Sequence, residues 1–323
     1  MILSKNQSEL TISIVVFLSA AIWGLYWLPL RKIEQAGVTA SWSVLAIYVV
    51  PFLFLMPWVI VRRHALRSKA GPILLIGFPI GAALACYATG FLHTTVLRTT
   101  LLFYMTPIWS TLLALVFLQE KTSARRWLAI ILGIAGLCLM LLGKDDQSAQ
   151  TDAINWGDIS ALMAGIFWSV GTVLLRKAPQ LDSFDIIPAQ YLFAIAFSAI
   201  FVWAGISTDN STLLEQRATI PAFAAWVASL PWLIGFYVVI FLPSLYLCIR
   251  GAQLLSPGRV GILMMSEVLV AGISAPLLAG EVISSTEWVA TALIVLATTI
   301  ELTTGIELTT GEKTKDETIL PPK

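Results

Sequence analysis

Charge is scarce in this sequence. Asp, Glu, Lys and Arg make up 12% of its 323 residues, about half the share of a soluble globular domain. That excludes a water-facing surface over most of the chain, and with it a soluble two-domain protein. Neither sign dominates: the formal net charge is +1, so no global field favours nucleic acid or acidic partners. Histidine is nearly absent. His64 and His93 are the only two, and neither has a partner at ligand spacing, which argues against a metal site. The three cysteines, Cys86, Cys138 and Cys248, lie inside apolar runs at no metal-binding spacing and read as small packing residues. No phosphate-binding glycine loop, nucleophile elbow or zinc-protease helix occurs. The expectation is therefore no enzyme and no cofactor.

Apolar sequence is abundant. Hydrophobic residues reach 58% and the mean hydropathy is +0.84. A bilayer is spanned by about 20 apolar helical residues, and runs of roughly that length recur. Spans are predicted at 12–30, 40–61, 71–92, 99–118, 127–142, 158–175, 186–206, 230–249, 261–279 and 288–302. Helices satisfy the backbone in lipid over runs this long, whereas a barrel would show shorter alternating segments. The fold class expected is all-α integral membrane with ten transmembrane helices. The first run lacks a convincing cleavage site and reads as a retained helix. Lys and Arg concentrate in alternate loops, among them Arg62, Arg63, Arg67, Lys69, Lys121, Arg125, Arg126, Arg176, Lys177 and Arg250. The positive-inside rule then puts both termini in the cytoplasm.

Two echoes divide the chain. A shift of 161 residues superposes Arg98 on Arg259, Leu102 on Leu263, Ala114 on Ala275 and Glu120 on Glu281. A shift of 145 superposes Trp23 on Trp168 and the run Leu30-Arg31-Lys32 on Leu175-Arg176-Lys177. Echoes in the same order imply a duplicated unit. The expected division is a first repeat over 1–146, a linker over 147–156, a second repeat over 157–303 and a disordered cytoplasmic tail over 304–323. Five helices per repeat invert the second relative to the first, a five-plus-five inverted repeat of the kind found in secondary transporters. A short helix lying on the outer surface is expected within 212–226.

Candidate site residues follow from position. Trp23 and Trp168 sit near the middle of their spans at equivalent places, where their ring faces suit apolar and cationic groups. The alternative is plain packing or lipid contact. Tyr26 extends the aromatic surface by a turn. Pro107 interrupts the fourth span near Tyr104, freeing a carbonyl that only protein or a wet cavity can satisfy; Thr106 adds a hydroxyl beside it. Glu267, flanked by Met264, Met265 and Ser266, lies deep in the ninth span, where a carboxylate costs a few kcal/mol. Proton coupling or holding a substrate amine is the functional reading, and a structural charge is the alternative. Arg98 and Arg259 open the two echoed helices, against the helix dipole, either as gates for anionic groups or snorkelling to phosphate. Tyr87 and Tyr246 occupy comparable places in the third and eighth spans. Glu120 and Glu281 close their spans and are expected to cap or anchor the turns that follow.

The ten spans, the inverted repeat and the helix LLFYMTPIWSTLLALVFLQE at 101–120 resemble the EamA-like family of the drug/metabolite transporter superfamily. In that family an apolar helix with a Pro thirteen residues before a terminal Glu recurs in both halves. Pro107 and Glu120 match it. In the second half Glu281 matches, Val268 stands at the proline position, and Glu267 matches the Glu that often precedes it. The resemblance implies a central cavity among helices one, three, four, six, eight and nine. The function expected is a secondary transporter exporting a small metabolite, an amino acid first, across a bacterial inner membrane by alternating access. The rival is a proton-coupled exporter of cationic or aromatic drugs; a lipid-modifying membrane enzyme is more remote. Expected partners are a small-molecule substrate, the bilayer and, in the coupled case, protons, with no nucleic acid. A monomer suffices, because both halves of the site are on one chain.

Overall fold

A computed structural model describes residues 5–38, 41–106, 108–109, 112–113, 123–142, 154–178, 180–204, 220–254 and 263–300. Among the described residues the regular structure is entirely helical. Six helices are long and apolar enough to cross a membrane: Thr11–Gln35, Ser41–Val61, Ala70–His93, Trp156–Leu175, Ser183–Trp203 and Phe223–Gly251. Three shorter apolar helices, Trp127–Leu139, Ser266–Ala279 and Ser285–Ile300, fall where spans are predicted. The predicted linker core, the C-terminal tail, Arg259, Glu120 and Pro107 lie outside the described residues.

The first span is two helices, α1 (Lys5–Trp23) and α2 (Trp27–Gln35). Between them the backbone tightens: Gly24, Leu25 and Tyr26 donate to the carbonyls three residues earlier, at 3.1, 3.0 and 2.9 Å. Next come α3 (Ser41–Val61), the short basic helix α4 (Arg63–Ser68) and α5 (Ala70–His93). The helix α6 (Val96–Phe103) opens the fourth predicted span and stops at a turn. The second half contains α7 (Ala124–Leu142), α8 (Trp156–Arg176), α9 (Ser183–Ala204) and α10 (Phe223–Trp232). α10 runs through a π-helical stretch, Leu233–Phe241, into α11 (Leu242–Leu254). This rod starts at Phe223, ahead of the predicted span, so the end of the expected surface helix belongs to it. Last are α12 (Ser266–Ser274), with a π-helical turn at Ala275–Ala279, and α13 (Ser285–Ile300).

The most enclosed helix is α5. From Ile76 through Phe91 its residues are buried apart from Phe78, as befits a helix apolar on all sides. It packs chiefly on α8 and α9 of the other half, and small residues bring the backbones close. A Cβ on Gly77 would lie 2.6 Å from the Ala189 Cβ. α9 is held to α3 as well: Arg62 donates to both Asp185 carboxylate oxygens, at 3.0 and 2.8 Å, and its guanidinium lies 5.1 Å over the Trp58 ring. The outward faces carry apolar side chains, with Val61 79% and Trp203 88% exposed. Water would oppose such a surface; hydrocarbon accepts it.

Candidate functional site

Three interruptions of helical backbone meet around Glu267. The first is the turn at residues 24–26. Its glycine is required by proximity: a Cβ on Gly24 would sit 2.6 Å from the Glu267 carbonyl oxygen and 2.7 Å from the Val270 Cβ. The second is the end of α6, where Met105 donates back only three residues, to Leu102 at 3.3 Å. Pro107 has no N–H to give the Phe103 carbonyl, and the Thr106 hydroxyl donates to that carbonyl instead, at 2.5 Å. The third is the turn at Met265, which precedes α12. Broken helices in a membrane are tolerated where protein or a cavity receives the freed groups.

Glu267 lies at this convergence and is 3% exposed. The Tyr87 hydroxyl on α5 donates to its Oε1 at 2.5 Å. The Tyr104 hydroxyl, just beyond α6, lies 3.0 Å from its Oε2 and also bonds the Met264 carbonyl. A cavity opens beside the carboxylate. Its walls are the rings of Trp23, Tyr87, Phe103 and Trp168, with Cys248 and Met264 among the other lining residues. Among the described residues that line it, Glu267 is the one Asp, Glu, Lys or Arg. The cavity measures about 20 Å³, room for a water but not for an organic metabolite. Side chains must part before one enters.

The other predicted residues fall around this centre. Tyr26 stacks on Trp23, with ring centroids 5.3 Å apart, but its hydroxyl turns away to Tyr48 at 2.8 Å, and Tyr48 donates to the Leu84 carbonyl at 2.5 Å. It supports Trp23 from behind. Thr106 caps the kink. Ser266 donates to the Phe17 carbonyl at 2.8 Å, tying α12 to α1. Tyr246 packs its ring edgewise on Phe184 and is not among the lining residues.

Arg98 is buried, and its Nε lies 2.7 Å from Asp158 Oδ1. Thr94 donates to the same oxygen at 3.1 Å, while Asp158 closes a reciprocal cap with Asn155 at the start of α8. Arg98 therefore locks α6 to α8 rather than lining the cavity. Glu281 reaches across the halves. Its carboxylate accepts from the Val96 amide at 2.8 Å and, more weakly, from the Leu97 amide, capping α6. The sequence expectation of a cap or anchor on the turn that follows is corrected here: the helix capped is the distant α6. Burial pushes the Glu281 carboxyl above its ordinary value of 4.5, against the opposing pull of these two amides and of Arg31.

Sequence reasoning missed Asp158 and Tyr48 as structural partners, and Phe103 and Cys248 as lining residues. The Asn155–Asp158 spacing marks a helix start locally, but the ties of Asp158 to Arg98 and Thr94, like the roles of the other three, come from helices distant in sequence. Among the described residues no cluster of His, Cys, Asp and Glu is arranged to hold a metal.

The model of the EamA-like transporter family matches residues 10–142 and 155–303. A protein of Archaeoglobus fulgidus named an uncharacterized transporter is 25% identical over 283 residues, covering 87% of this chain and 92% of its own. The uncharacterized transporter YoaV of Bacillus subtilis is 24% identical over 173 residues, 51% of this chain and 56% of its own. Solute carrier family 35 member F5 of Mus musculus is 29% identical over 134 residues, 40% of this chain and 25% of its own. One solved crystal structure superposes with a TM-score of 0.54 at 15% identity, over 92% of this chain and 98% of that one; at that identity it speaks to the fold alone.

Proposed function

The chain belongs to the EamA-like transporter family, and from that premise we propose a secondary transporter that moves a small amine-bearing metabolite by alternating access. The observation that carries the reading is the aromatic-walled cavity around one buried carboxylate, Glu267, at a junction of broken helices from both halves. Substrate sites of secondary transporters are built at such junctions. Trp23 and Trp168 offer ring faces to the substrate, and Glu267 receives its amine. The ten-helix inverted repeat, the bacterial inner membrane and cytoplasmic termini belong to the same proposal, supported by the paired echoes and the Lys and Arg bias. Direction is proposed as export, with an amino acid as first substrate class.

Flux into proteoliposomes containing the full chain tests the site. Glu267→Gln and Trp168→Ala are each expected to reduce uptake of a transported amine at least tenfold. Unchanged flux in both variants overturns the site assignment.

One observation favours the rival, an exporter of organic cations. The cavity lining offers no Lys or Arg among the described residues, and the Arg98 guanidinium is engaged by Asp158. A substrate carboxylate would meet no compensating charge. Competition between an amino acid and the amine that lacks its carboxyl group separates the two: equal inhibition favours the amino acid, and a strong preference for the bare amine favours the cation exporter.

A further inference from the structure

Five oxygens crowd together at the centre of the site, and their hydrogens can be counted. Three oxygen–oxygen contacts connect them: Tyr87 to Glu267 Oε1, Tyr104 to Glu267 Oε2, and Tyr104 to the Met264 carbonyl. Each contact needs one hydrogen between its oxygens. A carbonyl has none to give, so the Tyr104 hydrogen is committed to Met264. Tyr87 supplies its own to Oε1. Thr100, whose hydroxyl also faces Tyr87, donates to the Val96 carbonyl at 2.8 Å and brings nothing further. The contact between Tyr104 and Oε2 is then left without a hydrogen unless Glu267 carries one.

We propose that Glu267 is a carboxylic acid in this closed conformation, donating to Tyr104, and that Tyr104 is the switch that registers loss of the proton. When the proton leaves to water, the Tyr104 hydroxyl turns its hydrogen from the Met264 carbonyl to the new carboxylate. Met264 is released at the broken start of α12, and the vacated negative site takes a substrate ammonium in place of the proton. The exchange step rests on the transporter reading; the protonation and the switch do not.

The surroundings fit a proton held by hydrogen bonds. The titratable groups that face Glu267 among the described residues are Tyr87 on α5, Tyr104 after α6 and Cys248 on α11. α1 brings Trp23, the following turn brings Gly24, and α8 brings Trp168, none of which titrates. No described Lys or Arg lines the cavity to hold the carboxylate charged.

The test is infrared spectroscopy of the purified full-length protein across pH, with no substrate present. A carboxylic-acid carbonyl band that disappears in Glu267→Gln is expected in the neutral range. The switch is read from the C–O stretch of Tyr104, identified as the tyrosine band missing in Tyr104→Phe. In wild type this band shifts as the carbonyl band is lost, because the hydroxyl turns its hydrogen from the Met264 carbonyl to the carboxylate, a stronger acceptor. In Tyr87→Phe the same shift is expected, because Tyr104 still turns. Absence of a Glu267-dependent carbonyl band near neutrality overturns the proposal, as does a Tyr104 band that stays unchanged when the carbonyl band is lost. Because no flux is measured, failure here leaves the transporter reading standing, and a failed flux assay leaves this spectrum unaffected.

Discussion

At the scale of the residue, Asp158 shows how a charge can be essential without touching the cavity. It is fully buried and holds Arg98, Thr94 and the start of α8 together. Removing one partner of a buried ion pair strands the other and costs about 3–5 kcal/mol. Asp158→Ala is expected to lower the thermal midpoint of the detergent-solubilised protein strongly. Exchanging Arg98 and Asp158 for an apolar pair of similar volume should recover most of the loss. A midpoint unchanged in Asp158→Ala would remove the lock. Gly24 makes a different residue-scale prediction. Gly24→Ala places a methyl group against the Glu267 backbone, an overpacking worth about 1–3 kcal/mol. The same unfolding measurement checks it, and flux should fall further than stability alone explains, because α12 carries Glu267.

At the scale of the element, the cap on α6 comes from the far half. Glu281→Ala removes the acceptor for the Val96 and Leu97 amides, at a cost of about 0.5–2 kcal/mol. The pH dependence has a definite sign. A carboxyl raised by burial contributes stability below its unfolded value, and that contribution is lost as pH rises through the folded value. Wild type should therefore lose ground to Glu281→Gln as pH climbs from about 4.5; melting curves at stepped pH would reveal a parallel pair of lines if the carboxyl were unshifted. Elements also explain what the sequence did and did not disclose. Glu267 was legible because a carboxylate inside an apolar run is anomalous on its face. Trp23 and Trp168 were legible because the sequence echo at a shift of 145 pairs them. The Tyr104–Met264 contact was not, since it spans 160 residues and depends on two helices breaking around Glu267. Glu281 was read as a local cap or anchor because caps usually act on their own helix; only packing could assign it to α6. Arg98 reads from sequence as a gate or a snorkelling residue because the partner that engages it, Asp158, stands at the head of another helix.

At the scale of the whole molecule, the halves are interlocked rather than merely adjacent. α5 of the first half is enclosed by α8 and α9 of the second. Tyr87 and Tyr104 come from one side of the chain's midpoint, and Glu267 and Trp168 from the other. The two segments 1–146 and 147–323, expressed together as separate chains, should assemble and restore flux, while neither should bind substrate alone. Flux from a single segment would contradict a site shared between them.

The single carboxylate in the cavity sets what could power such a carrier. If the proposed exchange holds and the substrate is a monovalent amine without a carboxylate, proton and amine each neutralise it, and both loaded forms cross the membrane with the same net charge. Membrane voltage, which does about 2.3 kcal/mol of work on each unit charge per 100 mV, then acts on neither half of the cycle. Under that exchange the driving force would be the pH difference alone, and each pH unit across the bilayer would sustain at most a roughly tenfold gradient of the amine.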